Sequence, residues 1–438
     1  MQTYAAPGPG ASAGLQGVDV ACRPPSVRKN EKASNVSTPP NLSHGRPYLA
    51  IPGPSVMPDA VLRAMHRPAP NIYAGELVEM MPGLVTDLKR VARTEHHVAM
   101  YIGNGHAAWE AALANVLCPG DKVLVPATGS FAMGWGRTAE CQGAEVEIID
   151  FGKQTPIDPA RVAEALSADK AHRIRAVLAV HVDTSTSIRN DIAALRKAID
   201  AAGHPALLMV DCIASLGCDR FEMDAWGADV MVTGCQKGLM VPPGMAFVFF
   251  NDKAAAARAK VPQVSWYWDW VPRAHPEIFF QYHGGTAPTH HLYGLRVALD
   301  MIHEEGMEHV WARHATLSRA VWAACDKWSE AGTFALNVAD PAHRSTAVTT
   351  LCLTSPDATS LRTWVEENLG LTLGISLGMA ELDDPAWHGF FRLGHMGHVN
   401  GQMIMGLLGG MEAGMRGLGI AHGAGALDAA AEVLSGKA

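Results

Sequence analysis

Apolar runs of strand length alternate with helical patterns between about residues 85 and 250. Several runs are almost entirely apolar, which is typical of strands buried on both faces of a sheet. The pattern predicts seven strands, at 97–102, 122–126, 145–150, 175–182, 206–211, 228–233 and 246–250. Short strands of this kind usually lie in the interior of the protein.

The segments between these runs have the period of amphipathic helices. In 190–202, for example, Ile192, Leu195 and Ile199 share one face. An Asn-Asp pair provides a cap at the start of this helix, and Gly203 ends it. Alternating strands and helices favour a mostly parallel sheet covered by helices on both sides, so we predict an α/β fold with a mostly parallel seven-stranded sheet.

The pattern changes after about residue 288. Long helical stretches give way to short strands and a helix rich in Gly and Met, which together indicate a smaller C-terminal α+β domain. The predicted helices are 292–305, 307–331 and 401–415, and the predicted strands are 347–353, 371–376 and 390–393. We expect a large domain at 46–300 and a small one at 301–438. Residues 1–45, with scattered Gly, Pro, Ser and Asn, are predicted to be a disordered leader.

Composition narrows the class of protein. The 438 residues are 48% hydrophobic and 18% charged, as in an ordinary globular enzyme. A formal net charge of -8 gives no indication of nucleic acid or of an anionic membrane surface as a partner. The sequence has no apolar stretch of about 18 residues, so we expect a cytoplasmic protein without a membrane span. Neither the eight cysteines nor the paired histidines have the spacing of metal ligands, so no metal is predicted.

Three polar groups follow predicted strands, at the edge of the sheet where open α/β proteins bind ligands. The first is the turn Gly103–His106, which leads into a helix and is suited to bind a phosphate through backbone N–H groups and the helix dipole. The same turn also satisfies the dinucleotide pattern GxGxxA, but no acidic residue ends a strand at the distance that this pattern requires. Because the turn itself fits the pattern, a nicotinamide-dependent oxidoreductase stays an alternative.

The other two groups are Asp211 and Lys237. A carboxylate at the end of an apolar strand is costly to bury unless a cation or a strong donor meets it. A desolvated lysine has a lowered pKa, and its neutral amine is the nucleophile that forms Schiff bases. A phosphate site, a buried carboxylate and such a lysine on one sheet edge are typical of a pocket for pyridoxal phosphate.

Several stretches of the chain match one family in order and spacing. They are IPGPS (51–55), GNGHAAWEAALANVLCPGDKVLV (103–125), VDCIASLG (210–217), VTGCQKGLMVPPG (232–244) and FFRLGHMG (390–397). With them, about 47–415 resembles a class V aminotransferase of the fold-type I pyridoxal-phosphate superfamily, in particular the alanine/serine–glyoxylate group. The resemblance implies a homodimer with active sites at its interface.

The resemblance also implies roles for individual residues. Lys237 would hold pyridoxal 5'-phosphate as a Schiff base and move the substrate's α-proton, and Asp211 would face the ring nitrogen. The cofactor's phosphate would contact Asn104, Gly105, His106 and Gln236. Phe131 would stack on the ring, Thr184 would touch its phenolic oxygen, and Arg392 would bind the substrate carboxylate.

Some positions depart from the family pattern. Ser187 follows Thr186 where a glycine is usual. Relatives have Tyr-x-x-Thr reaching a phosphate across the dimer interface; here we assign Thr286 to that role and leave His283 and Tyr282 open. The segment 71–77 differs from the substrate-pocket stretch of relatives, and the aromatic segment 265–270 is either a packed turn or a wall of the pocket.

We therefore predict an aminotransferase that moves an amino group from alanine, serine or aspartate to glyoxylate or pyruvate by ping-pong chemistry. Another pyridoxal-phosphate reaction, by a lyase or a cysteine desulfurase, is an alternative. The desulfurase is disfavoured because Cys325 and Cys352 lie in helix and strand patterns instead of a mobile loop.

Overall fold

The computed structural model describes residues 41–436. Its strands are β1 Tyr48–Ala50, β2 His97–Gly103, β3 Lys122–Ala127, β4 Glu145–Asp150, β5 Ile174–Val180, β6 Leu207–Asp211, β7 Val230–Gly234, β8 Gly244–Phe250, β9 Ala335–Leu336, β10 Val348–Cys352, β11 Leu371–Leu373 and β12 Phe390–Gly394. The predicted leader falls almost wholly on residues 1–40, which lie outside the described part of the chain.

The helices cover the segments between and after these strands. They are α1 Asp59–Met65, α2 Glu76–Glu79, α3 Met81–Ala92, α4 Gly105–Val116, α5 Ser130–Cys141, α6 Pro159–Ala168, α7 Ile192–Ala201, α8 Asp252–Arg258, α9 Val271–Ala274, α10 Thr289–Glu305, α11 Met307–Trp328, α12 Asp357–Leu369, α13 Gly401–Leu418 and α14 Ala426–Leu434. Short 3₁₀ turns occur at Phe279–His283, Pro341–His343 and Pro385–Gly389.

A seven-stranded sheet with the order β2-β8-β7-β6-β5-β3-β4 forms the centre of the fold. All its neighbouring pairs are parallel except those of β8, which runs antiparallel to both β2 and β7. The predicted α/β fold with a mostly parallel sheet is confirmed, and each predicted strand of this region is present. The carboxyl ends of β2, β3, β5, β6 and β7 all lie at one edge.

Alternate residues of the central strands supply two separate apolar layers. Leu208 and Val210 of β6 pack on one face against α3, α7 and α10, whereas Leu207 and Met209 pack on the other against α4 and α5. Because both faces are covered by helices, these strands need no polar face, which explains their continuous apolar sequence.

The C-terminal part has its own apolar cluster, built from α11 to α14 and from β10 to β12. Its small antiparallel sheet has the order β12-β10-β9. The predicted strand 371–376 is wrong in extent because it ends at residue 373, and the predicted helix 307–331 ends at residue 328. The division of the chain at residue 300 remains a prediction.

The sequence does not predict β1. This strand pairs in parallel with β11, and Ala50 belongs to the apolar cluster of the C-terminal part. The chain between residues 51 and 55 then passes from this cluster to the carboxyl edge of the central sheet. None of the helices within 41–436 has both the length and the apolar character needed to cross a membrane.

Candidate active site

Lys237 lies just after β7, at the carboxyl edge of the central sheet, and is only 7% exposed. Its Nζ donates to the Pro52 carbonyl at 2.7 Å and to Thr184 Oγ1 at 3.4 Å. Burial lowers the pKa of Lys237 to about 8, and the nearby positive charge of Arg392 acts in the same direction. The amine is therefore neutral more often near physiological pH than that of an ordinary lysine.

The segment 51–55 packs directly along the lysine side chain. Gly53 has a φ of +97°, and a Cβ there would lie 2.9 Å from Lys237 Cε, so this position requires glycine. Ser55 donates from Oγ to the Lys237 carbonyl at 2.7 Å and from N to the Gln236 carbonyl at 2.9 Å. These contacts fix both ends of the lysine.

Asp211 is the last residue of β6, the strand next to β7. Its Oδ1 accepts from the Ile213 N–H at 2.7 Å, and its Oδ2 accepts from Trp109 Nε1 at 2.9 Å. Burial raises the pKa of Asp211 to about 7, while these two donors and Lys237 oppose that rise. The structure thus brings the predicted carboxylate and lysine to the ends of adjacent strands.

The glycine-rich turn follows β2 and begins α4 at the same edge. Asn104 is the N-cap, and its side-chain oxygen accepts from the N–H groups of His106 and Ala107. Burial lowers the pKa of His106; the charge of Glu110 opposes this shift, and the positive charge of Lys237 adds to it. Gln236 adds a buried side-chain oxygen that has no hydrogen-bond partner within residues 41–436.

Phe131 and Thr184 are joined through Asp183, a residue to which the sequence interpretation gave no role. The carboxylate of Asp183 accepts from the N–H groups of Phe131 at 3.0 Å and Ala132 at 3.2 Å, at the start of α5. It also accepts from Ser185 N at 3.0 Å and Ser185 Oγ at 2.5 Å. The signal that could have identified it is its position in the polar turn three residues after the end of the buried strand β5.

Arg392 of β12 is 5% exposed and reaches this cluster from the C-terminal part. Its Nη1 donates to the Thr184 carbonyl at 2.9 Å, and its Nε donates to the Ile375 carbonyl at 2.8 Å. Burial lowers the pKa of Arg392 to about 10. The structure therefore places the predicted carboxylate-binding arginine beside two other predicted site residues, Thr184 and Lys237.

The departures from the family pattern have different outcomes. Ser187 has a φ of +61°, in the left-handed region where glycine is usual, so the backbone keeps the turn although the residue has changed. His283 is 1% exposed, and neither ring nitrogen has a hydrogen-bond partner in the described part of the chain. A histidine buried in its own subunit is poorly placed to reach across an interface.

Thr286 is exposed in the single chain. The aromatic segment 265–270, predicted to be either a packed turn or a wall of the pocket, contains both buried and exposed rings. Trp270 is buried and stacks on Phe250 at 4.1 Å between centroids, whereas Trp266 is 68% exposed.

These groups fit pyridoxal phosphate by their chemistry. The cofactor has an aldehyde, a ring nitrogen that binds a proton, and a phosphate, and it needs an amine, an anion and N–H donors in return. Lys237 and Asp211 supply the first two from a desolvated pair, and Asn104 with Gln236 provides side-chain amides at the third point.

A model of the aminotransferase class-V family matches residues 48–396, which include every site residue discussed above. The chain belongs to the class-V aminotransferase family. It is 35% identical over 379 residues to the serine–glyoxylate aminotransferase of Methylorubrum extorquens, covering 84% of this chain and 90% of that relative. It is 34% identical over 378 residues to the L-aspartate–glyoxylate aminotransferase of Paracoccus denitrificans, covering 85% and 92%.

The solved structures agree with this family assignment. The ureidoglycine–glyoxylate aminotransferase of Bacillus subtilis is similar with a TM-score of 0.77 and 26% identity, covering 92% of this chain and all (100%) of that one. The predicted family and fold type are thereby confirmed, and so is the prediction of a pyridoxal-phosphate-dependent aminotransferase. The individual residue roles and the cytoplasmic location remain predictions.

Proposed function

We propose that this class-V aminotransferase transfers the amino group of a small L-amino acid to glyoxylate. The observation that carries the proposal is the pair of buried, oppositely charged groups at the ends of β6 and β7. Lys237 is held with a lowered pKa and Asp211 with a raised one. An amine that is partly neutral and a carboxylate that meets few donors are suited to a ligand with both an aldehyde and a basic nitrogen.

Pyridoxal phosphate, when bound, supplies an electron sink that stabilises negative charge at the α-carbon of an amino acid. Lys237 Nζ would hold the cofactor and then accept and return the α-proton. Asp211, in its ionised form, would keep the ring nitrogen protonated. Phe131 would supply apolar contact to the ring, and Thr184 Oγ1, which accepts from Lys237 Nζ, would bind the phenolic oxygen.

The phosphate is assigned to the N-terminal turn of α4, with Asn104, Gly105 and His106, and to the amide of Gln236. Arg392 binds the substrate carboxylate. Its Nε and Nη1 are held by backbone carbonyls, so the fork is fixed in direction and Nη2 is the arm assigned to the substrate. Burial strengthens this interaction because the guanidinium is shielded from water.

The choice of glyoxylate rests on the names of the relatives, which use serine or aspartate as the amino donor. Alanine is the third donor we consider, and pyruvate is the second acceptor. A desulfurase would need a thiol on a loop at the site, whereas Cys325 lies inside α11 and Cys352 ends β10.

We also propose that the enzyme is a homodimer in which Thr286 completes the phosphate site of the partner. Its exposure supports this assignment. Tyr282 is half-buried against the core, and His283 is fully buried, so Thr286 is the member of this stretch best able to reach another subunit.

The test replaces the lysine. Lys237→Ala should abolish the yellow absorbance of the bound cofactor and reduce transamination from serine to glyoxylate to background. Lys197→Ala, an exposed lysine on α7, is the control and should leave both unchanged. Full activity in Lys237→Ala would refute the proposal, and so would a wild-type protein that shows no cofactor absorbance. Spectral titration with single amino acids then identifies the donor.

A further inference from the structure

Trp109 lies in the second turn of α4 and is 1% exposed. Its indole N–H donates to Asp211 Oδ2 at 2.9 Å. Buried tryptophans in a core usually provide apolar contact, and their N–H groups do not always have a partner; Trp135, Trp270 and Trp328 all lack one within residues 41–436. The N–H of Trp109 is aimed instead at the carboxylate of the proposed site.

The ring of Trp109 also contacts two other residues of that site. Its centroid lies 4.5 Å from that of His106 and 6.3 Å from that of Phe131, and both pairs are edge-on. Gly134 of α5 lies against the indole ring, and a Cβ there would be at van der Waals distance, 3.4 Å. One side chain therefore touches the phosphate turn, the stacking ring and the carboxylate.

We propose that Trp109 is a positioning residue, which acts through Asp211 to hold the cofactor's ring nitrogen protonated and in register with the phosphate turn. This inference rests on the proposed function. Trp109 does not touch the reacting atoms. It is part of the same helix whose first turn holds Asn104 and His106, so the helix itself sets the spacing between the phosphate end and the ring-nitrogen end of the site.

The hydrogen bond matters because Asp211 has few others. Its only further donor within residues 41–436 is the Ile213 N–H, on the other oxygen. Among the charged groups that act on it, Asp183 disfavours its ionised form and Lys237 favours it. A donor to a buried carboxylate stabilises the charged form, so losing the indole N–H shifts Asp211 towards the neutral acid and frees its side chain to rotate.

The experiment uses Trp109→Phe, which keeps an aromatic ring but removes the donor. We expect roughly tenfold weaker binding of pyridoxal phosphate to the cofactor-free protein. We also expect a kcat lower by a similar factor with a smaller change in KM. The pH dependence of the bound cofactor's absorbance should shift as well, because the charge facing the ring nitrogen has changed.

Trp135→Phe is the matched control. Trp135 is fully buried on α5 and stacks on Trp109 with centroids 6.1 Å apart, but its own N–H has no partner in the described chain. The same substitution there should cost stability without shifting the absorbance profile. Equal spectral shifts in the two variants would overturn the inference, since ring packing alone would then explain the effect.

A second comparison separates an effect through Asp211 from a general disturbance. In an Asp211→Asn background, Trp109→Phe should have almost no further effect on cofactor affinity, because the residue through which it acts is already changed. Additive losses would overturn the inference. Normal cofactor binding and transamination in wild type with no change in Trp109→Phe would leave the proposed function intact and reject this role alone.

Discussion

Asp183 and Asp211 are two buried carboxylates on neighbouring strand ends, and the protein surrounds them differently. Asp183 accepts from Phe131, Ala132 and twice from Ser185, so its lone pairs are occupied by its own chain. Asp211 accepts from only two donors. Burial raises the pKa of both groups, to about 7 for Asp211.

The difference separates a structural carboxylate from one that is available to a ligand. A carboxylate can accept about four hydrogen bonds, and a buried one that accepts fewer has lone pairs left to meet a cation or a donor. Asp183 uses its capacity to fix the start of α5 and the turn that contains Thr184. Asp211 retains part of its capacity, and it faces the edge where the cofactor is assigned.

Of the two carboxylates, Asp211 should have the larger effect on catalysis when it is replaced. Asp211→Asn keeps the shape but removes the negative charge that stabilises a protonated ring nitrogen, so we expect kcat for transamination to fall on the order of 10²-fold. Stopped-flow or steady-state assays measure this, with cofactor content checked by absorbance. A variant with more than half of wild-type kcat would contradict the distinction between the two carboxylates.

Replacing Asp183 should instead affect the fold. In Asp183→Asn the new NH₂ group opposes N–H donors that previously bonded to a carboxylate, and we expect the free energy of unfolding to fall by about 2–4 kcal/mol. Urea denaturation of the cofactor-free protein measures this. Asp211→Asn is the control, and its free energy of unfolding should fall less because Asp211 has fewer donors to leave unpaired. A larger loss of stability in Asp211→Asn than in Asp183→Asn would contradict the structural role of Asp183.

The smallest effect is on the pH dependence of Lys237. Its pKa is lowered to about 8, so uptake of pyridoxal phosphate by the cofactor-free protein should accelerate with pH and level off above about 8. Asp211 raises this pKa more than Asp183 does. The rate of cofactor uptake should therefore reach its plateau at a lower pH in Asp211→Asn than in the wild type. The shift in Asp183→Asn should be smaller. Rates of absorbance change across pH test this order.

Much of the fold can be predicted because the signals are local. The strands of the central sheet have strong apolar runs, and α7 has both an apolar face and a cap, since Asp191 accepts from the Ala194 N–H. The pairing of β1 with β11 cannot be read this way. Each strand has only three residues, and their pairing depends on packing between distant parts of the chain.

The site is predictable to a similar degree. Lys237, Asp211 and the turn at Asn104 stand out because polar residues follow buried strands. Trp109 does not stand out, because a tryptophan within an apolar helix face is ordinary. Asp183 also follows a buried strand, but it lies among other polar residues of the same turn and is not distinguished from them. Their importance follows from one hydrogen bond to Asp211 and four to Asp183, which only the folded arrangement shows.

The segment that packs on Lys237 has a consequence for the order in which the pocket forms during synthesis. Pro52 accepts from Lys237, and the preceding strand β1 pairs with β11, near the other end of the chain. A ribosome delivers residues 48–55 early, but their partners emerge only after most of the protein has been translated. Contacts that fix the lysine therefore form only late in synthesis, and we expect the cofactor to be captured after β11 has been made.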